Sequence, residues 1–270
     1  MIGGSALFIP ANRSDLVAKV ERFAPDIVIL DLEDGLSPSE RPQARELLKE
    51  HVATLGASNV QVALRVNEVH SADFHLDLSA LPQGVSTLVL PKLEELSQLA
   101  QVHDLLPEEL EIMAGIESAR GVLRAEELLC APGVSSCYFG AEDLMADVGG
   151  RRTAEGLEVL YARSHVALCA AAAGITAFDQ IVADFGDTEA FQRDAEFGRD
   201  LGYAGKICIH PAQVSITKAV FSPSEHEIAQ ARAIVQASQA AGGGVVVVDG
   251  RMVDGPMVRS AEGILRRTHS

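Results

Sequence analysis

Cysteine is scarce in this sequence, with four residues among 270 positions. The four are Cys130, Cys137, Cys169 and Cys208, which lie in or beside apolar segments. None of them forms a Cys-x-x-Cys pair with another, so a zinc site built from cysteine is excluded. The pattern favours buried, reduced thiols in a cytoplasmic protein.

Long apolar runs are also missing. No run reaches the roughly 18 residues that a membrane-spanning helix needs. The first residues, MIGGSALFIPANRSD, have no basic region ahead of their short apolar piece. We therefore expect neither a signal peptide nor a membrane partner.

Positive charge is in short supply. There are 22 lysines and arginines against 38 aspartates and glutamates, which gives a formal net charge of −16. Such a surface repels nucleic acid and anionic lipid, so both are excluded as expected partners. It also repels small anions, so a site for an anionic ligand must supply positive charge locally, from arginine, backbone amides or a metal ion.

Hydrophobic residues make up 47% of the chain, and short β-branched runs alternate with longer amphipathic stretches. This alternation predicts βα units around a parallel sheet, and near-continuous apolar strands indicate that both faces are covered. The strand candidates are 6–10, 26–32, 60–66, 86–91, 111–116, 135–140, 174–179 and 206–211. Eight such strands in a chain of this length fit a single α/β barrel.

Each predicted strand is followed by polar residues. They are Asn12 and Arg13 after strand 1; Asp31, Glu33 and Asp34 at strand 2; Arg65 and Asn67 at strand 3; Lys92 after strand 4; Glu117 after strand 5; Glu142 and Asp143 after strand 6; Asp179 and Gln180 at strand 7; and His210 at strand 8. In a barrel these ends meet at one rim, where the βα loops build the active site. Lys206, at the start of strand 8, is expected on the opposite rim and away from any reaction centre.

Glu117 and Asp143 follow adjacent predicted strands, about one βα unit apart. Neighbouring strands lie about 4.8 Å apart, so the two carboxylates can share a cation. With no histidine or cysteine ligand nearby, the pattern predicts an oxygen-only site for Mg²⁺, with Mn²⁺ as a substitute. The alternative is that each carboxylate caps the helix that follows it.

Arg65 is suited to bidentate binding of a substrate carboxylate, which would answer the shortage of positive charge. Several rim residues also have plain structural interpretations. Glu33 or Asp34 can cap a helix or be solvated, Arg65 can be an ion-pair partner, and Lys92 can be a rim charge. His210, which precedes a proline, can simply pack a turn.

The pattern changes beyond about residue 222. A helix is predicted to begin at Ser224 with Glu227 in capping-box spacing, and Gly242 to Gly244 interrupt it. VVVVDGRMV then predicts a hairpin with an Asp-Gly turn, followed by Asp254 and a last helix. We therefore expect a barrel domain over 1–221 and an extension over 222–270. A hairpin hinged by glycines outside a barrel suits a flap or a subunit arm. Asp254 can also be a surface residue that starts a helix.

An ordered set of motifs resembles the citrate lyase β-subunit-like family, within the wider group of HpcH/HpaI-type and malyl-CoA-lyase-type aldolases. The motifs run from residue 6 to about 265 and are LFIPANRSD, VILDLEDGLSPSERPQAR, LRVNEVHSAD, LVLPKLE, AGIESARGVLRAEEL, FGAEDLMADVGGRRT, GYAGKICIHPAQV and DGRMVDGPMV. The resemblance implies a (β/α)8 TIM barrel with a C-terminal helix–hairpin–helix extension, assembled as a homotrimer or hexamer.

The resemblance also implies roles for individual residues. Glu117 and Asp143 would be the metal ligands, and Arg65 would hold the carboxylate of the keto-acid part. Asp254 would reach the active site of a neighbouring subunit as the acid/base. The further residues with implied roles are Glu33 and Asp34, which would organise metal-bound waters, and Arg13, which would contact the thioester carrier or substrate. Lys92 is a further candidate for substrate binding on the rim.

The expected function is Mg²⁺-dependent cleavage or formation of a 3-hydroxyacyl thioester such as citramalyl-CoA, malyl-CoA or a citryl thioester, giving a 2-keto acid and acetyl-CoA or an acetyl carrier. Three alternatives stay open. The chain can be the β subunit of a citrate lyase complex that acts on citryl-acyl carrier protein. It can be an aldolase that forms a Schiff base on Lys92. It can also be a non-catalytic thioester-binding or assembly subunit.

Overall fold

The computed structural model describes residues 4–58, 60–106 and 110–267. The chain divides into two compact units, with the border between Lys218 and Ala219. Within the described ranges, no helix is long and apolar enough to cross a membrane. The two units are taken in turn.

The first unit is a closed barrel of eight parallel strands in sequence order, in which β1 also pairs with β8. The strands are β1 Ser5–Pro10, β2 Ile27–Asp31, β3 Gln61–Arg65, β4 Thr87–Leu90, β5 Glu111–Ile116, β6 Val134–Phe139, β7 Thr176–Asp179 and β8 Gly205–Cys208. All eight predicted strands are present, which confirms the (β/α)8 barrel. Alternate side chains fill the inside of the barrel with apolar groups such as Ile29, Val89, Met113, Phe178 and Ile207.

Helices surround the strands and cover the outer faces of the barrel. They are α1 Ser14–Val17, α2 Arg41–Gly56, α3 Ala72–Ser79, α4 Leu96–His103, α5 Ala119–Leu123, α6 Ala125–Leu129, α7 Ala141–Asp147, α8 Leu160–Ala173, α9 Thr188–Asp200 and α10 Pro211–Phe221. A one-turn 3₁₀ helix, Val20–Arg22, follows α1. The segment after β1 thus forms two short helical turns rather than one continuous helix.

The ends of several elements differ from the predicted ones. β8 ends at Cys208 rather than at 211, because Pro211 begins α10, where its missing N–H costs nothing. Gly174 follows the last residue of α8, with a left-handed φ of 71° that favours glycine. Gly56 is the last residue of α2.

Two side-chain predictions need correction. Cys130 is exposed, while Cys137, Cys169 and Cys208 are buried, and all four are free thiols. Lys206 is the second residue of β8, as expected from the sequence, but its side chain is not exposed on a rim. Its side chain is fully buried on the outer side of β8, where its Nζ contacts Asp179 and Asp194 at 2.8 and 2.6 Å.

The second unit contains a helix, a hairpin and a further helix. α11 spans Glu225–Ala240 and begins with the predicted capping box between Ser224 and Glu227. The hairpin pairs β9, Val246–Val248, with β10, Arg251–Val253. α12 then spans Gly255–Arg267. Asp254 stands directly before α12, where its Oδ1 accepts a long 3.4 Å hydrogen bond from the Met257 N–H.

Candidate active site

A cavity of about 380 Å³ opens at the carboxyl ends of the barrel strands. Its charged lining residues are Asp31, Asp34, Arg65, Glu117, Glu142 and Asp143. Its apolar wall includes Phe8, Phe139, Ile181 and Ile209. Active sites of (β/α)8 barrels lie at this end of the strands, so the cavity is the candidate active site.

Arg65 is the last residue of β3 and lies beside Asp31, the last residue of β2, in the strand register. Its Nε and Nη2 donate to the two carboxylate oxygens of Asp31, both at 2.7 Å. The guanidinium also lies 4.4 Å above the Phe8 ring. Burial would lower the pKa of Arg65, but Asp31 raises it well above its ordinary value, so the group stays charged. A guanidinium has five N–H donors and Asp31 takes two of them, so donors remain for a substrate carboxylate even though Tyr138 and Glu33 also lie close.

Glu33 is a buried carboxyl group just beyond β2. Its Oε1 accepts from Lys92 Nζ at 2.8 Å. Its Oε2 is 3.0 Å from Arg65 Nη1 but is not aligned for a hydrogen bond. Burial raises the pKa of Glu33 to about 8, even though Arg65 and Lys92 oppose the shift. The cost of burying the charged carboxylate thus outweighs the attraction of the two cations.

Glu117 follows the last residue of β5 and is buried. Its Oε1 accepts from the Lys92 N–H at 2.7 Å and from the Tyr138 hydroxyl at 3.0 Å. Gly140 makes room for it, since a Cβ there would lie 2.5 Å from Glu117 Oε2. Burial raises the pKa of Glu117 to about 7, and nearby Asp143 adds to the shift while Arg65 opposes it.

Asp143 lies in the first turn of α7, directly after β6. β6 is the neighbour of β5 in the barrel, so Asp143 and Glu117 approach the cavity from adjacent strands, as predicted. Burial raises the pKa of Asp143 above its ordinary value, and the nearby Lys92 opposes that shift. Lys92 Nζ is 3.7 Å from Asp143 Oδ1.

Lys92 connects several of these acids. It follows β4 with a left-handed φ of 48°, which is uncommon for a residue other than glycine. Besides Glu33 and Asp143, its Nζ also approaches Glu68 at 3.3 Å. Burial would lower the pKa of the ammonium group, but hydrogen bonding to Glu33 and the surrounding carboxylates raise it. The lysine is therefore a protonated counter-ion.

The chemistry of this donor set fits a hard divalent cation. Glu117 and Asp143 offer oxygen ligands, and the residues that line the cavity include five carboxylates and one arginine. Burial raises the pKa values of both Glu117 and Asp143, so their charged forms lack full compensation there. Among the described residues, no group of three or more His, Cys, Asp or Glu side chains is arranged to hold a metal ion. Two carboxylates completed by water and substrate oxygens suit Mg²⁺, which keeps several waters.

Several predicted rim residues do not reach the cavity. Arg13 is half exposed and pairs with Asp15 at 2.7 Å. Asn67 is buried and donates to the side chain of Asp77. The side chains of three others point to other partners: Asp179 to Arg163 and Lys206, Gln180 to Arg152 and Asp194, and His210 to the stacked ring of Phe185. These three support loops and helices around the rim.

The sequence interpretation missed two residues of the site. Tyr138 lies inside β6, and its side chain points into the barrel, where its hydroxyl reaches Glu117. Strand alternation could have found it, because alternate side chains of β6 point into the barrel and Tyr138 is one of them. Phe8, on β1, faces the cavity beneath Arg65 for the same reason.

A barrel with buried carboxylates, an arginine and an apolar wall at the carboxyl ends of its strands is a (β/α)8-barrel enzyme. The family model for HpcH/HpaI aldolase/citrate lyase matches residues 4–211. This chain belongs to that family and is a carbon–carbon lyase of the aldolase type.

Individual relatives match along almost the whole chain. A citrate lyase subunit beta-like protein of Deinococcus radiodurans is 45% identical over 97% of this chain and 95% of its own length. A (3S)-malyl-CoA thioesterase of Cereibacter sphaeroides is 33% identical, and the match covers 98% of this chain and 94% of the relative's own length. The crystal structure of CitE from Mycobacterium tuberculosis in complex with magnesium, acetoacetate and coenzyme A superposes with a TM-score of 0.85. That protein is 35% identical, and the match covers 100% of this chain and 99% of the other.

Proposed function

We propose that this protein is a Mg²⁺-dependent lyase that cleaves, or in reverse forms, a 3-hydroxyacyl-CoA thioester to give a 2-keto acid and acetyl-CoA. The observation that carries the proposal is the surplus of buried carboxylates beside Arg65 in one cavity. The relative named citrate lyase subunit beta-like protein and the CitE structure with magnesium and coenzyme A support it. The relative named (3S)-malyl-CoA thioesterase supports a CoA thioester as the ligand.

In the proposed reaction, Glu117 and Asp143 would hold Mg²⁺, which when bound acts as a Lewis acid toward substrate oxygens. Arg65 binds the carboxylate of the keto-acid part, and Asp31 and Phe8 fix its orientation. A base takes the proton of the substrate hydroxyl, and the carbon–carbon bond breaks as that oxygen becomes a carbonyl. The electron pair passes to the α-carbon of the acetyl thioester, which is then protonated.

The cavity favours keto acids with a single carboxylate. Among the described residues that line it, Arg65 is the one cation, whereas five are carboxylates. The second carboxylate of a citryl group would lie among acids or against Ile181 and Ile209, and an unpaired buried charge is costly. We therefore place citramalyl-CoA or malyl-CoA ahead of citryl-CoA or citryl-acyl carrier protein.

The test is an incubation of purified protein with citramalyl-, malyl- and citryl-CoA, each with Mg²⁺ and with EDTA, following keto-acid release. We expect Mg²⁺-dependent release that is fastest with a monocarboxylic keto acid as product. Equal turnover in EDTA would contradict the metal's role. No turnover with any of the thioesters would favour the non-catalytic binding subunit.

The Schiff-base alternative is disfavoured by the surroundings of Lys92. A Schiff-base lysine needs a neutral amine, which burial in an apolar pocket provides. Lys92 instead contacts Glu33 at 2.8 Å and Glu68 at 3.3 Å, and its pKa is raised. Borohydride added with substrate is therefore expected to leave Lys92 unmodified. Mass-spectrometric detection of a reduced adduct on Lys92 would favour the Schiff-base mechanism over the metal-dependent one.

We further propose that Asp254 serves as the acid/base in a neighbouring subunit of a homotrimer or hexamer. The proposal is supported by its position directly after the hairpin and by the family resemblance of the DGRMVDGPMV segment. Mixing the inactive variants Glu117→Gln and Asp254→Asn tests it. Mixed oligomers contain sites with both native residues only if Asp254 acts across subunits, so activity should return on mixing. Absence of recovery in confirmed mixed oligomers would place Asp254 in its own subunit's site or outside the reaction.

A further inference from the structure

The loop after β4 holds Lys92 in an unusual backbone conformation. A non-glycine residue with φ of 48° costs on the order of 1 kcal/mol and persists only when its surroundings fix it. Part of the fixing comes from the next residue. The Leu93 N–H donates to the Gly115 carbonyl at 3.0 Å, and a Cβ on Gly121 would lie 2.7 Å from the Leu93 carbonyl oxygen. The loop is therefore packed between β5 and α5.

Gln98 supplies the remaining support from α4. Its side chain is buried, with 6% exposed. Its Oε1 accepts from the backbone N–H groups of Glu94 and Glu95 at 2.7 and 2.9 Å. Its Nε2 donates to the Lys92 carbonyl oxygen at 3.4 Å. The side-chain amide of Gln98 thus accepts hydrogen bonds from two residues of the loop and donates one to a third.

Lys92 in turn touches both carboxylates assigned to the metal. Its backbone N–H holds Glu117 Oε1 at 2.7 Å, and its ammonium lies 3.7 Å from Asp143 Oδ1. Both contacts depend on the direction in which the left-handed Lys92 backbone points its N–H and its side chain. A change of that backbone would move a donor away from Glu117 and the ammonium away from Asp143.

We propose that Gln98 is a positioning residue for the metal site, acting through Lys92 on Glu117 and Asp143. The inference rests on the proposed function, because it assigns the metal to those carboxylates. Gln98 touches neither of them. It sets the metal affinity by fixing the loop that orients them.

A simple capping role for Gln98 predicts different behaviour. Gln98 is the third residue of α4, where either Gln or Glu completes a capping box with the N-cap residue, here Glu95. The substitution Gln98→Glu keeps the acceptor for the Glu94 and Glu95 N–H groups. It removes the N–H that faces the Lys92 carbonyl and puts an oxygen there instead. Capping alone therefore predicts no change in metal binding, whereas positioning predicts a loss.

The experiment measures the dissociation constant for Mn²⁺ by electron paramagnetic resonance, together with the melting temperature. It compares wild type, Gln98→Glu, Gln98→Met and the control Gln101→Glu, which adds the same charge one turn further along α4. We expect Gln98→Glu to bind Mn²⁺ about three- to tenfold more weakly, as for one lost hydrogen bond. Added negative charge alone would strengthen cation binding, so charge cannot produce this result. Gln98→Met should lose at least as much affinity, and Gln101→Glu none.

Turnover provides a second measurement. Gln98→Glu should need a higher Mg²⁺ concentration for half-maximal activity and recover most of its turnover at saturating Mg²⁺. If Gln98→Glu does not fold, the Mn²⁺ affinity of Gln98→Met tests the positioning role instead. Wild-type Mn²⁺ affinity in a folded Gln98 variant would overturn the positioning role and leave the proposed function intact. Absence of Mn²⁺ binding to wild type would overturn both.

Discussion

The barrel contains two buried arginine clusters that look alike in outline and differ in charge. The Arg65 cluster lies at the cavity and comprises Asp31, Glu33, Asp34, Arg65, Lys92, Glu117 and Asp143. The Arg163 cluster lies on the outer side of β7 and β8 and comprises Arg163, Asp179, Asp194 and Lys206. Each is built around an arginine that holds a strand-end aspartate with two hydrogen bonds.

The Arg163 cluster is balanced, with two cations and two carboxylates. Arg163 and Lys206 both contact Asp179 and Asp194 at distances of 2.9 Å or less. Although burial would raise the pKa of Asp194, Lys206 and Arg163 lower it below its ordinary value. The Arg65 cluster has two cations and five carboxylates, and the pKa values of Glu33, Glu117 and Asp143 are raised.

Burial favours a raised carboxyl pKa in both clusters. The balance of positive and negative charge therefore decides whether the pKa of a carboxyl group ends above or below its ordinary value. In the balanced cluster the ions satisfy one another, and it joins β7, β8, α8 and α9 as part of the structure. In the unbalanced cluster the carboxylates outnumber the cations, and a divalent cation would supply the missing positive charge. The comparison therefore favours the Arg65 cluster, whose charges do not cancel, as the candidate ligand site.

The largest expected effect comes from removing a carboxylate of the Arg65 cluster. Glu117→Gln keeps an acceptor for the Lys92 N–H and the Tyr138 hydroxyl but loses the negative charge that would bind the metal. We expect Mg²⁺-dependent turnover to fall by about a thousandfold or more, as for several kcal/mol of lost stabilisation. Keto-acid release and Mn²⁺ binding are the measurements.

The same variant should keep its fold. Its melting temperature without metal should equal or exceed that of wild type, because a buried acid with a raised pKa is replaced by a neutral group. Asp143→Asn serves as the matched variant on the adjacent strand, and it should also lose turnover. Normal Mn²⁺ binding by both variants would contradict the metal assignment.

A substitution in the Arg163 cluster should lower stability and leave metal binding unchanged, which is the opposite of the result expected for Glu117→Gln. Lys206→Met leaves Asp179 and Asp194 with Arg163 as their shared cation, and breaking a buried ion pair costs about 3–5 kcal/mol. We expect a corresponding loss in the free energy of unfolding, measured by chemical denaturation. Mn²⁺ affinity of the folded variant should stay within about twofold of wild type. Unchanged stability combined with weakened Mn²⁺ binding would contradict the distinction between the clusters.

The stability of the metal-free protein should fall as pH rises from 5 to 8. The pKa of Glu117 is raised from 4.5 to about 7, so between these values the folded state binds a proton that the unfolded chain has lost. Its contribution is fully present below pH 4.5 and is lost by about pH 7, on the order of 3 kcal/mol. Glu33, with a pKa raised to about 8, acts in the same direction.

Chemical denaturation at several pH values, in EDTA and in Mg²⁺, measures this effect. Mg²⁺ should remove most of the fall, because it favours the ionised carboxylates. In EDTA, Glu117→Gln should reduce the fall in stability with pH by the contribution of Glu117, because the substituted side chain does not titrate. A metal-free stability that rises between pH 5 and 8 in wild type and is unchanged in Glu117→Gln would contradict the raised pKa.

Much of the barrel could be predicted from the sequence, because strands covered on both faces are continuous apolar runs. The position of Glu117 and Asp143, the proposed metal ligands, at the cavity could be predicted for a related reason. Parallel strands in a barrel share one rim, so Glu117 and Asp143 had to approach each other. Arg65 was placed in the cavity by the same argument, and its pairing with Asp31 follows from their register.

Side-chain direction is what the strand pattern could not give. Asp179 ends β7 just as Asp31 ends β2, yet Asp179 points outward to Arg163 on α8. Its direction depends on the stagger of the strands around the barrel and on partners far away in sequence. Gln98 was missed because it acts through a contact with another element, whereas Tyr138 was overlooked although strand alternation turns its side chain into the barrel. The relation of Asp254 to the site remains a prediction from the resemblance.

The smallest expected effect tests how far the surplus charge of the Arg65 cluster extends. Asp34 is 55% exposed and lies 3.9 Å from Arg65, so water and salt screen it, whereas Glu117 is buried. Asp34→Asn should weaken Mn²⁺ binding by about threefold, as for less than 1 kcal/mol, and leave the melting temperature unchanged. The effect should shrink further at high salt, where the loss in Glu117→Gln should persist. A loss in Asp34→Asn as large as that in Glu117→Gln would place Asp34 in direct contact with the metal.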